Sequence, residues 1–487
     1  MKHKQVCIGA LLISLCLLGL PWNAKAAEAE KDRSQSKWQY YQTPEEAGFS
    51  SEGLEEARIF WEGLRPAAAA VFVVYKGKVL VDWGNTSYRF RCRSIWKSLL
   101  NALYGIHVTE GNIDLQATLA ELNIDDDPPL TEAEKQAKVI HLLKSRSGVY
   151  HEAAAEAPIM RERRPERGSH APDTFWYYNN WDFNALGTIF EQETSTGIFE
   201  EFKRRIADPI GMQDFRLSDC FCDYELRYSI HPCYQFRMSA RDRARFGQLF
   251  IQEGRWGEQQ IVPKWWVRQS TTSYSDASSG MQELQGLGYG YLWWTFTDDV
   301  PAFQEFENLA GFSGFYASGY GGHVITVLSE VDMVYVFVVN NDDQDLEVEM
   351  MDSAALLNII QDAKQFETID LAITKLRNNP ASLAAGDEIN IVTTVRNLSR
   401  ESSTPTTVQF YLSRDTRLRK KDRLIGSAQL RAVKRRKKRT VRLRTTLPED
   451  IKPGSYYMIA YVDEENLNYD PDETNNVFVS SRRITIR

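Results

Sequence analysis

The stretch of this 487-residue chain best suited to chemistry is Arg93-Ser94-Ile95-Trp96-Lys97-Ser98. If Ser94 opens a helix, Lys97 lies one turn on and returns to the same face, so its amine can approach the Ser94 hydroxyl. A serine hydroxyl is a poor nucleophile at neutral pH, and a lysine assists it only when burial or neighbouring cations have partly removed its proton. The largely apolar residues 99–106 that follow would bury such a helix and desolvate Lys97. A serine three residues before a lysine is common by chance and ordinarily means a cap beside a solvated lysine, so the pair needs context.

Residues 175–187, Phe-Trp-Tyr-Tyr-Asn-Asn-Trp-Asp-Phe-Asn-Ala-Leu-Gly, form a second candidate region. Aromatics this dense usually make core or groove wall, yet a tyrosine hydroxyl beside an ammonium can have its pKa lowered and relay protons. His141, inside the apolar helical run 139–143, reads as a core or capping residue. His323 opens an apolar strand and reads as a packing residue. Around Tyr320, the glycines Gly319, Gly321 and Gly322 would let the backbone approach closely. The elements that must position these groups begin with a strand at 67–75, a tight turn at 76–78 and a hairpin partner at 79–83. The serine helix follows and ends at Glu110-Gly111-Asn112.

Taken in order, SIWKS, HLLKSRSGV, YNNWDFNALG, FRMSARDRARFGQLFIQEGRW and GYGGHVITVLSEVDMVYVFV resemble the serine beta-lactamase and penicillin-binding-protein superfamily, most of all its class C-like esterases and 6-aminohexanoate-dimer hydrolases. The resemblance spans residues 45–366. It implies an α/β (α+β) fold, an antiparallel sheet flanked by helices with a helical subdomain. By resemblance Ser94 is the nucleophile, Lys97 its partner and the tyrosine of a Tyr-x-Asn motif the base. The family's spacing to Gly187 selects Tyr178 over Tyr177, with Asn180 as the amide that holds Lys97 or substrate. The family's Lys-Thr-Gly or His-Thr-Gly is missing, and Phe315-Tyr316-Ala317-Ser318-Gly319 stands in its place. That cation usually meets a substrate carboxylate, so its loss argues against classical lactamase or D,D-peptidase activity. The strand edge can still aim an N–H at a developing oxyanion, with Ser94 N as one donor and Tyr320 N as the other. Trp96, Trp176, Trp181 and Tyr316 would wall an aromatic pocket, and no metal or other cofactor is called for.

The flanks set the context. Residues 1–26, with Lys2 and Lys4, an apolar run and Ala24-Lys25-Ala26, have the three-part build of a secretory signal peptide. Residues 27–44 read as a linker. The apolar run is short for a membrane span, and no later stretch qualifies, so the mature chain is expected to be soluble and exported, to the periplasm or beyond. Cys92, Cys220, Cys222 and Cys233 would remain, an even number that permits disulfides without fixing a pairing.

From 367 to 487, short alternating segments between turn residues indicate about seven strands and an immunoglobulin-like β-sandwich. The segment resembles the CARDB module of exported bacterial proteins. Residues 431–444, from Arg431 to Arg444, hold nine Lys or Arg and no acid, enough to attract an anionic glycan or cell-envelope surface, although a solvated hairpin would look the same. Oxygen side chains at 463–476 lack an EF-hand's spacing and read as turn chemistry. A formal charge of -8 gives nucleic acid no overall support as a partner. The expectation is an exported serine hydrolase forming an acyl-enzyme on a small ester or amide. The alternatives are a catalytically silent binding or adhesion protein and a penicillin-recognising enzyme.

Overall fold

The computed structural model describes residues 37–487 except 280–283, 297–300, 302–305, 307–308, 310–311, 343–345, 365–368, 380–381, 400–401, 466, 469 and 471–472. The leader expected at 1–26, with Cys7 and Cys16, lies outside the described residues, as does part of 463–476. Helix α1 (Ser51–Gly63) is capped by Ser50 Oγ, which accepts from Gly53 N at 3.2 Å. Strands β1 (Ala68–Tyr75) and β2 (Lys78–Gly84) then form the expected hairpin, with Lys76 and Gly77 both at positive φ in its turn. Helices α2 (Trp96–Thr109), α3 (Asn180–Thr194) and α4 (Ala240–Ile251) precede β3 (Ser275–Asp276), β4 (Leu287–Tyr289) and β5 (Trp294–Phe296). Strands β6 (Gly314–Gly319), β7 (His323–Leu328) and β8 (Met333–Val339) and helix α5 (Met350–Asp362) complete the larger unit.

The eight strands make one antiparallel sheet in the order β2-β1-β8-β7-β6-β5-β4-β3. Every residue of β7 and β8 is buried because helices cover both faces of the sheet. A Cβ on Gly247 of α4 would lie 2.5 Å from Val334, whereas Ser353 of α5 takes the hydroxyl of Tyr335, whose side chain points the other way. The N-terminal and C-terminal helices α1 and α5 pack together on that second face, so closely that a Cβ on Gly53 would meet Ala363 at 2.8 Å. Helices α2 and α3 pack against each other.

A separate hydrophobic core runs from Ile369 to Ile486. It is built by β9 (Leu371–Asn379), β10 (Ser382–Leu383), β11 (Glu388–Asn397), β12 (Thr406–Ser413), β13 (Arg423–Leu430), β14 (Lys438–Thr446), β15 (Gly454–Val462) and β16 (Val477–Ile486). These form a three-stranded sheet, β9-β11-β14, and a five-stranded sheet, β10-β16-β15-β12-β13, the two layers of a sandwich. Burial along β11 alternates strictly, as one face on the core requires.

Gly187, which marked Tyr178 by spacing, has a packing reason in the fold. A Cβ there would stand 2.0 Å from the ring of Tyr234, which also packs against Trp96 of α2. Gly187→Ala must therefore push apart the two sides of the helical layer; we expect a loss of about 1–3 kcal/mol in urea unfolding. Unchanged stability would mean that Tyr234 swings away freely.

Candidate active site

Ser94 lies in a single 3-10 turn (Arg93–Ile95) that runs directly into α2. Arg93 before it adopts a left-handed φ of 50°, which turns the chain sharply out of the short strand Phe90–Arg91. The first turns of α2 are buried on all sides, Lys97 included. Buried polar contacts fix the helix: Ser98 donates to Leu292 O at 2.7 Å and Asn101 to Tyr291 O at 2.8 Å.

Within this core the Lys97 amine meets three oxygens, Ser94 Oγ at 2.9 Å, Tyr178 Oη at 2.8 Å and Asn180 Oδ1 at 2.7 Å. Burial brings the amine down to about 7, against opposing pulls from Cys233 and Glu156. The same burial pushes the Tyr178 phenol above its ordinary value, only partly offset by its hydrogen bond with Ser94. The expectation of a phenol made acidic by a neighbouring ammonium is therefore reversed: lysine, not tyrosine, is the group poised near neutral pH. A neutral amine has two protons and one lone pair. Asn180 Oδ1 can only accept, so the lone pair is left for a hydroxyl of Ser94 or Tyr178.

The loop carrying Tyr178 and Asn180 is held by the Ser-Arg-Ser segment. Ser145 Oγ donates to Tyr177 O at 2.6 Å and accepts from Asn179 N at 3.0 Å, while the Ser147 hydroxyl bonds the buried Asp182 carboxylate. Tyr177 is buried and donates to Met160 O, a structural role. His141 caps its short helix, its Nδ1 accepting from Lys138 N at 3.2 Å. The Ser-Ala-Arg-Asp-Arg motif opens α4: Ser239 caps it, and buried Arg243 donates to Arg91 O at 2.9 Å just before the nucleophile.

Ser94, Lys97, Tyr178, Asn180 and Tyr320 all line one open cleft of about 730 Å³. Trp181 is a correction: it is fully buried, donates to Asp126 Oδ2 at 2.7 Å and does not face the cleft. Trp176 and Tyr316 do not line it either, and the aromatic wall consists of Trp96, Tyr178, Tyr320 and Trp294, whose ring stacks on Tyr178 at 5.2 Å. The strand β6 ends close against the nucleophile turn, since a Cβ on Gly319 would lie 2.7 Å from Cys92 O. All four cysteines of the described chain are free.

Sequence reasoning missed the support behind Tyr320. His323 Nδ1 accepts from Arg243 Nη1 at 3.0 Å and from Val339 N at 3.3 Å, both obligate donors, so the ring proton sits on Nε2 and is donated to Asn341 Oδ1 at 3.0 Å. Burial and the nearby Arg243 and Arg93 hold this imidazole well below its ordinary pKa, and it stays neutral. The oriented Asn341 side-chain amide donates to Tyr320 O at 2.9 Å and accepts from Arg93 Nε at 3.3 Å, while Arg93 Nη2 also donates to the Asn341 backbone carbonyl at 2.5 Å. One amide thus ties the Tyr320 peptide to the residue preceding Ser94. Glu156 was missed as well. It lines the cleft, pairs with Arg164, is raised by burial and leaves Oε1 without a hydrogen-bond partner. Asn341 ends an apolar strand beside a second asparagine, the one sequence signal that pointed to it; nothing marked Glu156.

The beta-lactamase family profile matches residues 58–357. The chain belongs to the beta-lactamase family. A CARDB profile matches residues 368–480. Among solved structures, this beta-lactamase-family chain is similar to a protein described as a 6-aminohexanoate-dimer hydrolase from Bacillus anthracis, at 18% identity over 63% of this chain and 82% of that one, TM-score 0.47. It is also similar to a penicillin-binding protein homolog from Caulobacter crescentus, at 13% identity over 65% and 99%, TM-score 0.49. A D-stereospecific amidohydrolase from Streptomyces sp. is similar at 16% identity over 61% and 98%, TM-score 0.44. No curated protein sequence matches the chain.

Two outcomes follow for this beta-lactamase-family site. Only a neutral Lys97 can take the Ser94 proton, so kcat/KM on an uncharged ester should climb with pH up to about 7 and level off above it. Lys97→Met should abolish that limb and cost about 10²–10⁴ in rate. A profile that is flat through pH 7 would contradict the assignment. Asn341→Ala should lower kcat by roughly tenfold to a hundredfold with KM little changed, because it loosens the Tyr320 peptide without touching the substrate; an effect on KM alone would refute that role.

Proposed function

We propose that this chain is an exported serine hydrolase that forms an acyl-enzyme on Ser94 and cleaves an ester or amide of a small substrate. The observation that carries the reading is the Lys97 amine, brought down to about 7 and in hydrogen-bond contact with Ser94, Tyr178 and Asn180 in one open cleft. Neutral Lys97 takes the Ser94 proton as Oγ attacks the carbonyl carbon. The oxyanion that forms is met by the N–H groups of Ser94 and Tyr320. The Tyr178 phenol, kept protonated by burial, gives its proton to the leaving oxygen or nitrogen and is reprotonated by the Lys97 ammonium. Water then attacks the acyl carbon and gives its proton to Lys97, and as the acyl–oxygen bond breaks the Lys97 ammonium returns that proton to Ser94 Oγ.

Ala317 and Ser318 stand at the end of β6 where the family carries a cation, which disfavours substrates that need a carboxylate held there and hence β-lactams. The aromatic wall favours an apolar or planar acyl group. The proposed export rests on the build of residues 1–26, and among the described residues no helix is long and apolar enough to cross a membrane.

The test is a panel of nitrophenyl esters, nitroanilides and nitrocefin with the full chain. Turnover of an ester or anilide, lost in Ser94→Ala and weak or absent on nitrocefin, supports the reading. A folded wild-type protein that turns over none of them favours a silent binding protein, and nitrocefin as the best substrate favours the penicillin-recognising alternative.

A further inference from the structure

The basic run at 431–444 is not one hairpin surface. Along β14, alternation sends Val441 and Leu443 toward the core and Lys438, Thr440, Arg442 and Arg444 to the outer face. Strand pairing then recruits charges from two other strands. Arg396 of β11 lies directly opposite Lys438, and Val392 opposite Arg442. Arg377 and Lys375 of β9 lie opposite Val392 and Thr394. The outer face of the three-stranded sheet thus gathers Lys375, Arg377, Arg396, Lys438 and Arg442, all exposed, and the turn before β14 adds the exposed residues 434–437.

Neutralisation on this face is sparse. Arg444 pairs with Glu388 at 2.6 Å, whereas the five residues just named form no ion pair with any described acid. Directly opposed residues of an antiparallel pair have Cβ atoms about 5 Å apart, and like charges there destabilise the sheet. Arg396 opposite Lys438 therefore works against folding and is understandable as a site kept for an anion. Lys375 and Arg377 stand about 7 Å apart along β9 and Lys438 and Arg442 about 14 Å apart along β14, a spread that suits a line of negative groups rather than one anion in a pocket. The other outward positions of β11 and β14 are Asn390, Val392, Thr394, Thr440 and Thr446, with no aromatic to enter a bilayer or stack on a base. The right-handed twist of a sheet also follows a chain better than it matches a plane.

We propose that the outer face of β9-β11-β14 binds a linear acidic polysaccharide through its carboxylate or sulfate groups, which guanidinium groups can take two-pronged. The binding is independent of Ser94. The test uses the full chain against immobilised polygalacturonate (carboxylate), heparin (sulfate) and neutral dextran, with phosphatidylglycerol vesicles and single-stranded DNA as competing polyanions. Binding to one or both acidic polysaccharides and not to dextran, weakening as salt rises, is expected. Lys438→Glu is the diagnostic variant: it turns a like-charge pair into an opposite-charge one, so melting temperature should hold or rise while affinity falls. Adding Arg442→Glu should bring the loss to roughly tenfold or more, and Ser94→Ala should bind as wild type does. The proposal is overturned by no binding to either acidic polysaccharide at low salt, by affinity unchanged in the double variant, or by binding vesicles or DNA as tightly as the polysaccharides.

Discussion

The burial of one lysine is the constraint on which the larger unit depends. An ammonium taken out of water is costly unless it loses its proton or is fully bonded, and Lys97 occupies a helix surrounded on every side by core. The fold answers with three oxygens at hydrogen-bond distance and with a pKa brought to about 7. Ser94 lies one turn before the amine, whereas Tyr178 and Asn180 reach it together from a loop 81 and 83 residues farther along the chain. They converge because that amine must be satisfied as much as because a reaction needs them. The rings of Tyr178 and Phe183, each 4.3 Å from the amine, favour the charged form, and desolvation outweighs them.

Around this centre the two sides of the cleft are held by different means. The helical side is set by hydroxyls: Ser145 and Ser147 fix the Tyr178–Asn180 loop through backbone and a buried carboxylate. The sheet side is set by a chain from Arg243 through His323 and Asn341 to the Tyr320 carbonyl, with Arg93 joining the same asparagine. Each donor in that chain leaves one choice for the next group, so the orientation of the Tyr320 peptide is determined four residues deep. Close backbone approach at Gly319 completes the contact between the strand and the nucleophile turn.

Much of this was legible in the sequence. The hairpin at 67–83 and the strand at 388–397 follow from alternation and turn residues, and the SIWK pair became informative once four further motifs stood in order behind it. What was not legible depended on direction. Trp181 shares its stretch with Tyr178 and Asn180, but it sits in the first turn of α3 facing Asp126, and composition cannot tell a wall of the cleft from the core behind it. Tyr178's acidity was misjudged because proximity to an ammonium was weighed without the burial that raises the phenol and lowers the amine together. Asn341 acts through contacts made across the chain, and Glu156 pairs with Arg164 only eight residues on but carries no pattern that marks it as lining the cleft. The basic run was visible as composition, but the opposition of Arg396 and Lys438 exists only in the sheet's register.

The central claim is that Ser94 is a nucleophile made reactive by Lys97. It is tested most directly by intact-mass measurement of the folded protein after brief exposure to a fluorophosphonate, followed by peptide mapping, with Ser94→Ala and Lys97→Met alongside. The account predicts one adduct, located on Ser94, absent from the serine variant and formed far more slowly in the lysine variant. An adduct on another residue, labelling as fast without Lys97 as with it, or no adduct on the folded wild-type protein would contradict it.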